Sequence, residues 1–250
     1  MTAKSYFSSK FEKTFPHLIM RESRRNGGIS QFPYESLNLG LNTQDDIQSV
    51  LKNRQIFFDL LEISSNQIVG SLQVHDDIIL EATESGYFSG YDAFVTNQRD
   101  LFLTIGIADC TPILIFDPIT SSIGAAHAGW KGTAKSIASK TLQKMQEFYG
   151  TNPKDCFAFI GTCIDTANFE VGEEVAEKFD KQFVHYFQNS NRPHIDLKAA
   201  NLQQLLDIGI PIENIEISEF STVLDNEHYF SYRKENGQTG RMLAVIGIRA

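Results

Sequence analysis

Residues 101–150 confine the fold more than any other stretch of this chain. Three apolar runs, LFLTIGIADC, TPILIFDP and SSIGAAHAG, follow one another with only short turns between them. Their aliphatic, β-branched and aromatic content reads as three consecutive strands. The period then changes. In TAKSIASKTLQKMQEFYG (133–150), Ala134, Ile137, Ala138, Thr141, Leu142, Met145 and Phe148 share one helical face, and Gly150 stands where a C-terminal cap is expected. Strands that lead into an amphipathic helix bury themselves by layering.

The rest of the chain interleaves the two periods in the same way. TQDDIQSVLKNRQIFFDLLEI (43–63) reads as a helix capped by Thr43 or Asp45, and DLKAANLQQLLDIGI as another, ended by Gly209 and Pro211. FEVGEEVAEKF reads as a further helix. IVGSLQVHDDIILEAT, DAFVTN, CFAFIGT, NIEISEF, YFSYR and RMLAVIGI read as strands. No repeat or long linker interrupts the 250 residues, so the expectation is one domain spanning 1–250, of α/β (α+β) class. Hydrophobic residues make up 42 %, enough for a substantial core.

A net charge of −9, with no basic segment, argues against a nucleic-acid partner but leaves room for a small anion held by local arginines. Three cysteines, Cys110, Cys156 and Cys163, do not form a disulfide framework. MTAKSYFSSKFEKTF lacks the apolar core of a secretory signal, and no run is long enough for a membrane span. A cytoplasmic protein with no membrane partner is expected, acting as a monomer or homodimer.

Three side chains stand at strand ends beside turns: His75 closes SLQVH, Cys110 closes TIGIADC, and His127 closes IGAAH. Such positions have a rigid sheet behind them and open space in front. Two imidazoles and a thiolate are the ligand types of a catalytic zinc, which keeps its fourth position free, and copper is the alternative ion. Their separations match no short metal-binding spacing. Structural burial is the competing account of each residue. His17, His185, His194 and His228 have no comparable context and read as surface or loop residues.

SLNLG (36–40), QVH (73–75), DAFVT (92–96), ADCTPILIFD (108–117), AHAGWKGT (126–133), FEVGEEV (169–175) and FSYRKENGQTGRM (230–242) occur in this order. Together they resemble the YfiH family, a purine nucleoside phosphorylase group once called multicopper polyphenol oxidases, from about Arg25 to the C-terminus. The resemblance implies a layered α/β/β/α fold with mixed sheets and a metal triad on His75, Cys110 and His127. It also implies phosphorolysis of adenosine, inosine or guanosine, and methylthioadenosine, with adenosine deamination; a copper-dependent laccase-type activity is also credited to the family. Departures are Asp76 after QVH, Lys131 where arginine is usual, Thr162 after Gly161, and Ser221–Thr222 before the SYR segment. Each leaves the triad intact.

Each activity makes its own demand on side chains. Deamination needs a group that moves protons, for which Asp109 is the candidate, with loop anchoring as its other role. Phosphorolysis needs cations for phosphate: Arg25, Arg54, Arg233 and Arg241 are candidates, with surface ion pairing as the alternative, and Lys131 adds a further charge. Asn38 and Asn42 could bond sugar hydroxyls or the base edge, or close turns. Trp130 and Phe230 offer a stacking face or core packing, and GQTG (237–240) reads as a mobile loop near the site. A metal-free cysteine hydrolase or amidase with Cys110 as nucleophile and His127 as base is the second reading, though it leaves His75 without a task. A true multicopper oxidase would need about ten histidines in HxH pairs, inferred from copper-cluster ligation, against six histidines and no HxH here. A non-enzymatic binding role is the remaining alternative.

Overall fold

Two mixed sheets stacked face to face make the centre of the computed structural model, which describes residues 5–188 and 190–250. In chain order the strands are β1 (Tyr6–Ser8), β2 (Leu18–Ser23), β3 (Ile68–Leu72), β4 (Ile79–Glu81), β5 (Gly86–Ser89), β6 (Ala93–Thr96), β7 (Phe102–Ile107), β8 (Thr111–Asp117), β9 (Ser122–Ala128), β10 (Phe157–Ile160), β11 (Val184–Tyr186), β12 (Pro193–Ile195), β13 (Ile215–Ile217) and β14 (Met242–Ile248). The helices are α1 (Ile47–Leu60), α2 (Trp130–Ala134), α3 (Ile137–Tyr149), α4 (Glu173–Ala176) and α5 (Leu197–Asp207). One sheet runs β1-β2-β14-β7-β3-β5 and the other β13-β10-β8-β9-β6-β4. β11 and β12 pair separately.

Alternation along the strands sets the layers. On β8, Leu114 and Phe116 enter the apolar layer between the sheets, where they meet Leu103, Ile105 and Ile246 of the first sheet. Ile113 and Ile115 face the other way, onto Ile137, Leu142 and Met145 of α3 and Leu205 of α5. β14 divides likewise: Val245 faces Phe57 and Phe58 of α1, while Ala244 and Ile246 face inward. The order is therefore helix, sheet, sheet, helix, as the resemblance implied. Gly124 lets α3 sit directly on β9, since a Cβ there would lie 2.9 Å from both Met145 Sδ and Thr141 Cγ2.

Several local expectations are corrected. α1 is capped by Asp46, which accepts from Ser49 N at 2.9 Å, because Thr43 and Asp45 already accept from the Asn38 amide. The 133–150 helix is broken at Ser136 (φ 62°), so Ala134 belongs to α2; Gly150 does cap α3 in the left-handed conformation. The expected helix at 169–179 is the single turn α4. YFSYR is a run of turns rather than a strand, with Tyr229 and Phe230 fully buried. GQTG is tied down: Thr239 is buried and donates to Glu235, and its carbonyl accepts from Arg241. His194 is buried rather than superficial. No helix among the described residues is long and apolar enough to cross a membrane.

A buried carboxyl bridges the two sheets. Glu22 on β2 is fully enclosed, and its Oε2 accepts from Thr162 N at 2.8 Å, just beyond β10. Burial raises it to about 7, against the lowering effects of the Thr162 hydrogen bonds and the charges of Lys198 and Arg24. The folded state thus holds this proton more tightly than the unfolded chain. The resulting stability is complete below the ordinary carboxyl range and is lost as pH rises through about 7. Glu22→Gln is expected to become more stable relative to wild type between pH 4.5 and 7, by up to about 3 kcal/mol. Urea unfolding at several pH values measures that difference.

Candidate metal centre and substrate cavity

The loop after β3, the β7–β8 turn and the end of β9 meet at one edge of the stacked sheets. Beyond Leu72 the chain leaves its strand, but the Gln73 amide prolongs the pairing, donating to Gly106 O (3.0 Å) and accepting from Gly106 N (2.7 Å). The next turn brings His75 into left-handed backbone (φ 59°). Cys110 follows Asp109, which is also left-handed (φ 90°). Two adjacent sites of unfavourable backbone at one locus require firm local anchoring. His127 lies near the end of β9, opposite Pro112 on β8.

The three ligand atoms lie within 4.8 Å of one another, with His75 exposed, Cys110 half-buried and His127 buried. Gly129 answers why glycine follows this histidine: a Cβ there would lie 3.0 Å from Cys110 Sγ and 3.5 Å from His75 Cδ2. The anchors are carboxylates. Asp92, fully buried, bonds His127 Nδ1 at 2.8 Å, and Asp109 accepts from Thr222 Oγ1 (2.6 Å), Ser231 Oγ (2.7 Å) and Arg233 N (2.7 Å). With Nδ1 occupied by Asp92, His127 keeps Nε2 for a ligand.

Electrostatics draw Cys110 toward its thiolate and His127 toward its protonated form, which gives up a proton when it ligates a metal. Burial alone pushes the Cys110 thiol up, but the His127 charge and hydrogen bonds from His127 and His75 bring it down to about 6. Burial pushes His127 down, yet Cys110 and Asp92 carry it up to about 9. Burial likewise raises Asp92, but the bonds from His127 and the loop amides hold it below the usual carboxylate range. A thiolate and two imidazoles of this kind suit zinc or copper and leave one side open to the cavity. Among the described residues this is the one group of three or more histidine, cysteine or acidic side chains gathered within reach of an ion.

The triad forms part of the wall of a cavity of about 460 Å³. Arg54 and Arg241 line it, together with Ser71, Gln73, Thr104 and Tyr87. Arg54 donates to Leu39 O (2.8 Å) and lies over Phe58, and burial lowers it to about 10. Arg241 donates to the Thr239 and Gly240 carbonyls (both 2.9 Å) and lies over Tyr232. Among the described residues their hydrogen-bond partners are neutral carbonyls, so both guanidiniums keep charge and donors for an anion. Trp130, Phe169 and Tyr232 supply aromatic wall.

The other expected residues divide. Arg233 lines the cavity but also donates to Asn168 O and Glu170 O, both at 3.0 Å, so that it secures the segment carrying Phe169. Asn42 lines it as well. Arg25 lies elsewhere, paired with Glu235 at 3.0 Å and stacked on Phe230, which is why neither reaches this cavity. Asn38 is fully buried, and its amide bonds Thr43, Asp45, Gly40 and the Arg241 backbone; it shapes the loop and seats Arg241. Lys131 is exposed beside the Trp130 ring and outside the lining. Asp109 lines the cavity with both oxygens committed. Sequence reasoning passed over Asp92, although it opens DAFVT, and also Gln73, Tyr87 and Phe169.

Comparison with known proteins agrees with this architecture. The family model described as "Multi-copper polyphenol oxidoreductase laccase" matches residues 20–249. A Bacillus subtilis protein named "Purine nucleoside phosphorylase YlmD" is 34 % identical over 90 % of this chain and 86 % of its own length. A Deinococcus radiodurans protein named "Purine nucleoside phosphorylase" is 38 % identical over 93 % and 89 %. The crystal structure of Bacillus licheniformis YfiH superposes with a TM-score of 0.93 at 31 % identity, covering 99 % of this chain and 98 % of that one. That of Geobacillus stearothermophilus YlmD gives 0.92 at 30 %, covering 100 % and 98 %. Fold and sequence similarity along nearly the whole chain converge, and the protein belongs to the YfiH/YlmD group of the multi-copper polyphenol oxidoreductase laccase family.

Proposed function

We propose that this chain is a cytoplasmic, zinc-dependent purine nucleoside phosphorylase acting on adenosine, inosine or guanosine, and methylthioadenosine, with adenosine deamination as a secondary activity. One observation carries the reading. A thiolate–imidazole triad and two guanidiniums free of carboxylate partners open into a single nucleoside-sized cavity. The curated relatives named purine nucleoside phosphorylase support it.

In phosphorolysis a phosphate oxygen attacks C1′ of the pentose as the C1′–N9 bond breaks. Its electron pair goes to the purine, which takes up a proton, and the products are free base and pentose 1-phosphate. Arg54 and Arg241 would hold the phosphate through planar, two-pronged donors, made stronger by burial. Trp130, Phe169 and Tyr232 would bracket the base, and Asn42 and Arg233 lie within the same wall. His75, Cys110 and His127 would hold zinc, which supplies Lewis acidity toward a substrate oxygen.

Deamination calls on Asp109, the one carboxylate lining the cavity among the described residues. Its three donors leave it poorly placed to carry protons, which favours phosphorolysis as the main activity. A metal-free cysteine hydrolase is favoured by the Cys110–His127–Asp92 line of contacts, but it gives the adjacent His75 no role. Copper fits the triad chemically, whereas a laccase needs several copper sites and one group of ligands is present among the described residues.

Wild-type protein purified without chelators should contain about one zinc per chain, following the three-ligand pattern of catalytic sites, and should release free purine only when phosphate is present. Cys110→Ala should lose the metal and at least about 1,000-fold in kcat/KM, the order expected when an electrostatic centre is removed, with an unchanged far-UV circular dichroism spectrum. Full turnover in that folded, metal-free variant refutes the assignment.

The two cavity arginines separate phosphate binding from nucleoside binding. Arg54→Ala should raise the KM for phosphate about 10- to 100-fold, the loss expected for a charged hydrogen-bond donor, with a much smaller change for the nucleoside. Arg25→Lys should leave the phosphate KM near wild type. Steady-state kinetics with each substrate varied in turn distinguishes the two, and the opposite ranking contradicts this placement of phosphate.

A further inference from the structure

We infer that Asp92 is the positioning residue that holds both imidazole ligands of the metal centre in one geometry and selects the tautomer of His127. The inference rests on the metal reading above. Asp92 sits just before β6, fully buried. Its Oδ1 accepts from His75 N at 3.0 Å and meets His127 Nδ1 at 2.8 Å, while Oδ2 accepts from Val74 N at 3.1 Å and Asp76 N at 2.9 Å. Its own carbonyl accepts from His127 N at 2.7 Å. One residue therefore touches the backbone of both histidines and the ring of one.

These contacts do separate jobs. Three successive loop amides converge on the carboxylate and hold His75 in its left-handed backbone. The fourth contact makes Nδ1 of His127 the protonated nitrogen, because a carboxylate accepts and cannot donate; Nε2 is then free to ligate. Cys110 is secured independently through Asp109 and its partners Thr222, Ser231 and Arg233. The imidazoles thus share one carboxylate and the thiol loop has its own.

Asp92→Asn tests this because the amide cannot reproduce the pattern in either orientation. Turned one way, its NH₂ faces His127 Nδ1, and the ring moves its proton to Nε2, the ligating nitrogen. Turned the other way, the NH₂ meets the Val74 and Asp76 amides donor to donor. Zinc affinity measured by competition with a chromogenic chelator should fall about 10- to 100-fold, as for other outer contacts of metal-bound histidine. Thermal unfolding of the zinc-free variant checks that it is folded.

A second measurement needs no variant. In ¹⁵N-histidine-labelled wild type loaded with zinc, NMR should show the proton of His127 on Nδ1, sheltered from exchange, and zinc on Nε2. A folded Asp92→Asn variant that binds zinc within twofold of wild type overturns the inference, as does a His127 protonated at Nε2. If the variant does not fold, the NMR tautomer decides alone. Wild type that takes up no zinc overturns the metal reading itself, and this inference falls with it, so the two failures are distinct.

Discussion

Two imidazoles and one thiol, far apart along the chain, must stay within a few ångströms of one another before any chemistry can begin. Everything around them serves that constraint. The apolar layer between the sheets fixes β7 of one sheet against the adjacent β8 and β9 of the other, so the turn bearing Cys110 and the strand end bearing His127 have no freedom to drift. The loop bearing His75 is brought in by Gln73, whose amide mimics one more step of strand pairing against Gly106. A glycine at 129 keeps the space between the three side chains clear.

Charge is organised around this centre locally. The chain is strongly acidic as a whole, yet the cavity presents arginines, and the carboxylates in and behind its wall, Asp109 and Asp92, are turned to holding backbone, hydroxyls or histidine. Asp109 is an example: it lines the cavity, but its oxygens are consumed in binding three separate donors. Arg54 and Arg241 have the opposite character, half-buried and bonded, among the described residues, to neutral carbonyls. Such a guanidinium gains most from a dianion that displaces its remaining water.

Much of this was legible in the sequence. The layers follow from alternation in β8, β9 and β14 and from the helical period of α3, patterns carried by neighbouring residues. The triad was legible because each member reads as closing an apolar run beside a turn; in the fold His75 and Cys110 stand in turns just beyond β3 and β7, and His127 near the end of β9. What was hidden depends on partners distant in the chain. Arg25 pairs with Glu235, which no local pattern reveals. Asn38 reads as a turn or substrate residue until the loop carrying Arg241 folds against it. The segment from Tyr229 to Arg233 has the composition of a strand, yet Ser231 and the Arg233 amide bind Asp109, and that pull curls the chain into turns. Asp92 opened a recognised motif, but its value lies in the four donors gathered around it from two other segments.

Zinc K-edge X-ray absorption on the zinc-loaded protein reads which side chains meet at the ion. The account requires one sulfur scatterer at about 2.3 Å and two imidazole nitrogens at about 2.0–2.1 Å. A spectrum fitted by oxygen and nitrogen alone, with no sulfur in the inner shell, would mean that Cys110 does not join the two histidines on the ion, and the account would fail.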